Sequence, residues 1–462
     1  MQLTTREIDI LQHTFLDYRS TEDFIQNPLV LHRAQGLYCW DTAGKRYFDA
    51  IGGVFVALLG HGHPRVMAAM REQMERMTFA PPLHGIADVT LDFVEKLGSV
   101  CPGDLRYVKP FSGGSEAVES AFKFARQYFK QSGHPGKYKF ISRYSSYHGG
   151  TFGGMSASGT GERKAKFEPQ MPGFLKVFPP TFYRDQFASW EEANRFAAQS
   201  VEDVIVAEGP ETVAGFIVEP IGNTGGIITP TSEYFQLLRD ICTRHNVLLI
   251  FDEVITGFAK TGHMFAAQTF GVTPDILCVG KGISSGAVPL GAMVAREDLA
   301  EAFRGSSADG KFFAHGHTFA GNPLACAVGI AVIDEILEKD LCAKAVRLGA
   351  YLARRLQDLQ KLGIVREIRG KGILLGVELV RDTASMAPFP ELGIALKRTA
   401  LRNGLILRID PTWFAVAPPL IAEESDLDEM CGLIEKSIRE ALDEARDECP
   451  NTHCSTVANR GR

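Results

Sequence analysis

Two charged side chains stand where apolar segments end, and their chemistry suggests a reactive site. Lys281 lies between two glycines after the apolar run Ile276–Val279, and Asp252 follows a second apolar run at 247–251. Burial favours the neutral form of a lysine, and a neutral amine can form an imine with an aldehyde. The carboxyl ends of parallel strands meet at one edge of a sheet, where ligands bind. These residues alone leave open a surface or phosphate-contacting Lys281 and a turn-capping Asp252.

A segment of small residues upstream has the character of an anion site. Residues 112–116 read Ser-Gly-Gly-Ser-Glu between a predicted strand and a predicted helix. Backbone N–H groups and the Ser115 hydroxyl can meet a phosphate there, and we expect Ser115 to cap the helix. Tyr147, after another predicted strand, offers an aromatic face to a flat heterocycle. The adjacent His148 could equally be a structural histidine.

Histidine and cysteine pairs do not complete a metal site in the sequence. No third ligand accompanies the runs His61–His63 and His315–His317. Cys449 and Cys454 flank His453 in a polar tail that we expect to fray. Zinc sites need three or four protein ligands, so we predict no metal.

Short apolar runs alternate with amphipathic stretches from about residue 106 to residue 295, which predicts βαβ units and a largely parallel sheet. One helix should bury a stripe of five residues, and another should begin after Thr231 or Ser232. The stripe is Val118, Ala121, Phe122, Ala125 and Phe129. The predicted strands are Lys139–Ser142, Ala214–Val218, Val247–Asp252, Ile276–Val279 and Gly291–Ala295.

A smaller α/β domain is predicted from both ends of the chain. Its strands should be Leu37–Trp40 and Arg46–Phe48 near the start, with Leu374–Leu379 and Leu405–Leu407 near the end. We therefore divide the chain into four parts. They are an N-terminal segment at 1–64 that joins the small domain, a large domain at 65–325, the C-terminal small domain at 326–447 and a polar tail at 448–462.

Composition favours a small-molecule enzyme in the cytoplasm. The 462 residues are 45% hydrophobic and 23% charged, as in ordinary globular proteins. A formal net charge of -6 argues against nucleic acid or an anionic membrane as partner. No export signal is visible, no apolar run reaches the roughly 18–20 residues that span a bilayer, and nine scattered cysteines favour reduced thiols.

Six motifs, in order, resemble the class III aminotransferases, which depend on pyridoxal 5'-phosphate (PLP) and have fold type I. The resemblance covers about residues 37–420. The motifs are Gly113–Glu119, Tyr147–Gly149, Glu219–Ile221, Asp252–Phe258, Gly280–Gly282 and Gly316–Pro323. It implies an α/β fold in which helices cover a mostly parallel, seven-stranded sheet, together with a smaller α/β domain.

The resemblance also implies roles for individual residues. Lys281 would hold PLP as a Schiff base and Asp252 would pair with the pyridine nitrogen. The remaining cofactor contacts would be Gly114 and Ser115 at the phosphate, Tyr147 and Val254 on opposite ring faces, and His148, Gly149 and Glu219. Thr318 resembles a phosphate ligand donated by the neighbouring subunit, which implies a homodimer with shared sites and leaves a tetramer open.

The substrate pocket is closest in pattern to amine:pyruvate and ω-amino-acid aminotransferases. There Arg408 would grip a substrate carboxylate and move aside for a donor without one, although a surface ion pair is an alternative. Phe55, Leu83 and Thr224 would line the pocket, together with Tyr147. The chain departs from the family's commonest pattern at three places, which are Gly113, Gly222 and Ala259–Lys260.

We therefore expect an enzyme that transfers an amino group from an amine or ω-amino acid to a 2-oxo acid, with pyruvate as the expected acceptor, by a ping-pong mechanism. Other activities on the same fold remain open, because fold and cofactor do not fix the substrate. They are 2,2-dialkylglycine decarboxylase and ornithine, 4-aminobutyrate or diaminopelargonate-type aminotransferase. From other classes, a non-catalytic PLP-binding protein and a phosphate-binding nucleotide enzyme are less favoured.

Overall fold

The computed structural model describes residues 3–447 as three β-sheets and the helices that cover them. The strands are β1 Leu31–Gln35, β2 Tyr38–Asp41, β3 Arg46–Asp49, β4 Leu105–Phe111, β5 Lys139–Arg143, β6 Phe174–Val177, β7 Val213–Val218, β8 Leu248–Asp252, β9 Ile276–Val279, β10 Gly291–Arg296, β11 Val365–Lys371, β12 Leu374–Leu379, β13 Leu405–Ile406, β14 Arg408–Asp410 and β15 Trp413–Val416.

The helices differ in length from single turns to the long C-terminal helix. They are α1 Thr5–Leu11, α2 Thr21–Gln26, α3 Gly52–Phe55, α4 Pro64–Arg76, α5 Asp88–Val100, α6 Gly114–Gln131, α7 Phe152–Ala157, α8 Gly161–Lys164, α9 Pro180–Tyr183, α10 Trp190–Glu208, α11 Ser232–Arg244, α12 Ala266–Phe270, α13 Glu297–Ala300, α14 Pro323–Glu338, α15 Leu341–Gln357, α16 Pro390–Arg402 and α17 Glu424–Asp447. None of those described is long and apolar enough to cross a membrane.

The largest sheet has seven strands in the order β4-β10-β9-β8-β7-β5-β6. Pairs from β9 through β6 are parallel, and β10 runs antiparallel to both of its neighbours. Every residue of β7, β8 and β9 is buried, because helices cover both faces of the sheet. The predicted α/β architecture with a mostly parallel sheet is confirmed, and all five predicted strands lie within one residue of their expected bounds.

The edge strand β6 and the N-terminus of α6 differ from the predictions. Strand β6 at its edge was not predicted, since it has four residues, one of them Lys176, and only Val177 is fully buried. Helix α6 buries the predicted stripe, but Gly113 and not Ser115 is its N-cap residue, so that prediction was wrong. Thr231 caps α11 as expected, because its side chain accepts from the N–H of Tyr234 at 3.2 Å.

Strands from the two ends of the chain share a sheet. Its order is β1-β2-β3-β13, and the parallel pair β3 and β13 aligns Phe48 with Leu405. The third sheet, β11-β12-β15-β14, is antiparallel and comes wholly from the C-terminal part. The division into domains stays a prediction, and its boundary at 325/326 falls inside α14. The predicted polar tail, with Cys449 and Cys454, lies outside the described residues.

Candidate active site

One edge of the seven-stranded sheet opens into a cavity of about 1350 Å³. Strands β7, β8 and β9 end there, and its wall includes Glu219, Asp252, Val254 and Lys281, which lie at or just after the strand ends. The parallel direction of these strands brings their carboxyl ends together, as the sequence predicts for a ligand site. The cavity also takes residues from the N-terminal segment and from β13 and β14.

Asp252 is held in one orientation by a buried histidine. Its Oδ2 lies 2.8 Å from Nδ1 of His148, whose side chain is fully buried, and its Oδ1 accepts from the N–H of Val254 at 3.2 Å. His148 Nδ1 carries the proton in this pair, because a carboxylate can only accept. The Nε2 of His148 has no hydrogen-bond partner within residues 3–447. His148 thus acts as the group that orients the carboxylate, beyond the cofactor contact that the resemblance implies.

Lys281 reaches the cavity from an unusual backbone conformation. Its φ is +46°, in the left-handed region, and it begins a short 3-10 helix after extended Gly280. Such conformations cost energy and cluster at functional sites. Burial lowers the pKa of the Lys281 amine, and the carboxylates of Asp252 and Glu219 oppose that shift. An amine with a lowered pKa is the form that reacts with a carbonyl carbon.

A second buried lysine lies beside this segment. The Nζ of Lys260 has no hydrogen-bond partner in the described part of the chain, and burial lowers the pKa of Lys260 to about 7. A Cβ added to Gly282 would meet this Nζ at 2.8 Å, so glycine there leaves room for the amine. The sequence marked Lys260 as a departure from the family pattern but gave it no role.

Glycines allow the chain to pack closely where α6 begins. A Cβ on Gly114 would lie 2.8 Å from both methyl carbons of Val254, and a Cβ on Gly149 would lie 2.8 Å from Ser115 Oγ. Gly149 also has a φ of +129°, which side chains rarely adopt. Ser115 Oγ accepts from the N–H of Gly150 at 3.1 Å. The wall at this end therefore consists of backbone and a hydroxyl close to a helix N-terminus, a combination suited to an anion.

Tyr147 and Glu219 stand on another side of the cavity. Glu219 Oε2 accepts from the N–H of Tyr147 at 3.3 Å, and burial raises the pKa of the Glu219 carboxyl. The hydroxyl of Tyr147 is 3.3 Å from that of Tyr18 in the N-terminal segment. Tyr18 and the neighbouring Arg163 line the cavity, and no sequence motif marked either of them.

Some of the predicted substrate residues line the cavity and others do not. Phe55, with a φ of +64°, and Arg408 line the cavity. Arg408 donates to Asp410 Oδ2 at 3.2 Å and lies over the ring of Trp413, 5.5 Å from its centroid. Leu83, Thr224 and Thr318 do not line the cavity of the single chain, and Leu83 is 93% exposed. Their roles stay predictions.

One cluster of possible metal ligands lies next to the cavity, among residues 3–447. Ligand atoms of Cys39, Asp49 and His61 lie within 4.8 Å of one another, so His61 has companions that the sequence did not reveal. The hydrogen bond to Asp49, at 2.8 Å, raises the pKa of His61 to about 10. The distance is that of a hydrogen-bonded ion pair between a protonated imidazole and the Asp49 carboxylate. Asp49 Oδ2 also accepts from the N–H of Gly53 at 2.7 Å, which holds the loop that carries Phe55.

Comparison with known proteins places these features in a family. The model for aminotransferase class-III matches residues 20–438. A protein of Mycobacterium tuberculosis described as a probable aminotransferase is 39% identical over 415 residues, 87% of this chain and 88% of its own length. A putrescine–pyruvate aminotransferase of Pseudomonas aeruginosa is 31% identical over 435 residues, 92% of this chain and 93% of its own.

A solved structure shares the whole fold. The thermostable (S)-enantioselective ω-transaminase from Thermomicrobium roseum superimposes with a TM-score of 0.90 at 36% identity. The match covers 96% of this chain and 100% of that one. Both the large mixed sheet and the surrounding helices are therefore those of fold type I transaminases.

Proposed function

The chain belongs to the class III aminotransferases, which depend on PLP, and on that premise we propose that it moves an amino group from an amine or ω-amino acid to a 2-oxo acid, with pyruvate as the preferred acceptor. The observation that carries the proposal is one cavity that combines Lys281, the His148–Asp252 pair and Arg408. The first two serve any transaminase. Arg408 supplies the means to recognise an acid.

The residues around the cavity fit PLP. Gly114 and Gly149 let Val254 and Ser115 approach the backbone closely at the start of α6, where a phosphate gains from backbone N–H groups and the helix dipole. The His148–Asp252 pair supplies a fixed carboxylate for a protonated ring nitrogen. Lys281 would hold the aldehyde carbon, Tyr147 and Val254 would contact the ring faces, and Thr318 of a neighbouring subunit would complete the phosphate site.

When bound, PLP accepts the electron pair released as the substrate carbon loses its proton. The chain's own residues do the remaining work. Lys281 Nζ would take the proton from the substrate carbon and pass it on within the site, a task that the lowered pKa of its amine favours. Asp252 would stabilise the protonated ring nitrogen without reorganisation, because His148 and Val254 already fix its oxygens.

Arg408 explains how one cavity serves two kinds of substrate. Among the described residues its one ion pair is with Asp410, at 3.2 Å, both partners are partly exposed, and such pairs are weak. A 2-oxo acid can replace that contact with a bidentate one, and a carboxylate-free amine can leave it intact. The putrescine–pyruvate aminotransferase among the relatives supports pyruvate as the acceptor.

The assembly and the compartment are part of the same proposal. Thr318 is exposed and does not line the cavity of its own chain, which is consistent with a place in the site of a second subunit. We therefore propose a homodimer with shared sites, located in the cytoplasm. Sedimentation of the purified protein tests the first statement directly.

A donor panel with pyruvate as acceptor tests the function. The donors are 4-aminobutyrate, β-alanine, taurine, ornithine, putrescine and 1-phenylethylamine, and alanine formation is measured. Turnover of at least one amine or ω-amino donor with pyruvate supports the proposal. Turnover with 2-oxoglutarate alone refutes the pyruvate assignment, and release of carbon dioxide in the first half-reaction identifies a decarboxylase instead.

A further inference from the structure

Arg163, in the short helix α8, is an arginine of the cavity wall that neither the motifs nor the proposed chemistry uses. Its guanidinium carbon lies 4.5 Å from the ring centroid of Tyr18 and 4.9 Å from that of Tyr147. Two aromatic rings thus hold the group in place through cation–π contacts. Its hydrogen-bonding edge is not used by these contacts, since the rings interact with its face.

Within residues 3–447 the guanidinium of Arg163 contacts these two rings and forms no ion pair with a carboxylate. The acidic groups on the wall are otherwise engaged or stand apart. Asp252 pairs with His148, Glu219 accepts from backbone N–H groups, and Asp17 and Asp23 line the cavity without contacting the guanidinium. An arginine fixed in a cavity without a counterion is an incomplete site for an anion.

Arg408 lies within electrostatic reach of Arg163. Burial lowers the pKa of Arg408, the Asp410 carboxylate opposes that shift, and the positive charge of Arg163 lowers the pKa further. Arg19, Lys281 and Lys397 also line this wall, and so does Arg398, which is paired with Glu444. Like charges brought together in a partly buried site repel, and ligand carboxylates relieve that repulsion.

We propose that Arg163 is a second carboxylate subsite, which binds the distal carboxylate of an ω-amino acid donor, while Arg408 binds the carboxylate of the 2-oxo acid. This inference rests on the proposed function for the identity of the donor. In an ω-amino acid the reacting amine and the carboxylate stand at opposite ends of the molecule, so the two groups need separate contacts. Tyr147 links Arg163 to the reacting end of the site, because its ring contacts the guanidinium and Tyr147 is also a predicted cofactor contact.

Three variants separate charge, shape and local structure. Arg163→Gln removes the charge, Arg163→Lys keeps the charge but loses the planar fork, and Lys164→Gln removes a neighbouring charge outside the cavity wall. For Arg163→Gln we expect the KM for 4-aminobutyrate to rise about 10- to 100-fold, the range for loss of a charge-assisted hydrogen bond. The KM for 1-phenylethylamine and for pyruvate should change less than about twofold, and Lys164→Gln should resemble the wild type.

Two results would overturn the subsite. One is an equal rise in KM for 4-aminobutyrate and 1-phenylethylamine, which would mean that Arg163 only positions Tyr147. The other is a rise confined to 2-oxoglutarate, which would assign Arg163 to dicarboxylic acceptors. Arg163→Lys should recover part of the affinity, since a lysine contacts a carboxylate as a point charge.

Calorimetric titration of the PLP-loaded enzyme with butyrate, which lacks the reacting amine, separates this inference from the proposed function. Weaker butyrate binding in Arg163→Gln than in Lys164→Gln supports the subsite even if no donor is turned over. Equal binding in the two variants refutes it even if the enzyme is an active transaminase.

Discussion

Contact between Gly114 and Val254 offers a test of the cavity wall that requires no knowledge of the substrate. A methyl group on Gly114 would stand 2.8 Å from both Val254 methyl carbons, closer than nonbonded carbons come. Overpacking of this kind costs about 1–3 kcal/mol. We expect Gly114→Ala to lower the free energy of unfolding of the PLP-free protein by that amount and to weaken PLP binding, since Val254 also lines the cavity.

The double variant shows whether the two side chains conflict as the distances require. Val254→Ala alone removes two methyl groups and should cost about 1–2 kcal/mol, at about 0.8 kcal/mol for each group fully buried. In Gly114→Ala/Val254→Ala the new methyl has room, so the loss should be smaller than the sum of the single losses by about 0.5–3 kcal/mol.

Calorimetric melting of the four proteins without PLP measures this coupling, and absorbance titration measures the Kd for PLP. Gly113→Ala is the matched control, because its Cβ would meet no atom within 4 Å and its φ of 178° is extended backbone. The free energy of unfolding of that variant should lie within about 0.5 kcal/mol of the wild-type value. Strictly additive losses at Gly114 and Val254 would refute the packing described for this wall.

Three further predictions concern charged groups. Arg408→Gln should raise the KM for pyruvate about 10- to 100-fold and leave the half-reaction of a carboxylate-free amine unchanged in single-turnover kinetics; an unchanged KM would remove Arg408 from the acceptor site. Asp252→Asn should slow that half-reaction about 10²- to 10³-fold, the usual effect of losing one preorganised electrostatic partner, and normal rates would contradict its role. The pKa of His61 is raised from 6.5 to about 10, so its pair with Asp49 stabilises the fold fully below pH about 6.5 and loses this contribution as the pH rises through about 10. The difference in free energy of unfolding between wild type and His61→Gln, measured by urea denaturation, should therefore shrink over that interval. A constant difference would exclude the ion pair.

The site residues at the ends of strands could be predicted from the local sequence. Lys281 and Asp252 follow apolar runs that can only be buried strands, so their meeting at one edge follows from the parallel direction of β8 and β9. The partner of Asp252 was harder to identify, since His148 lies 104 residues away and a histidine in a loop has several possible roles.

Other features depend on contacts that no local pattern encodes. Tyr18 meets Tyr147 across 129 residues, and nothing in the short segment around Tyr18 indicates a cavity wall. The cap of α6 was predicted wrongly for a different reason. Ser115 is a favourable capping residue by type, but Gly113 occupies the N-cap position and the Ser115 hydroxyl accepts from Gly150 instead. Residue type predicts the ability to cap, and chain geometry decides the position.

The central claim is that Lys281 is the amine that binds PLP covalently, and peptide mapping tests it most directly. The protein incubated with PLP is reduced with borohydride and digested, and the modified lysine is located by mass spectrometry. The structure offers a specific competitor, because Lys260 is also buried and its pKa is lowered to about 7. We predict the phosphopyridoxyl group on Lys281 in the wild type and its loss, with the visible absorbance, in Lys281→Ala. A label on Lys260, or one that persists in Lys281→Ala with full turnover, would contradict the account.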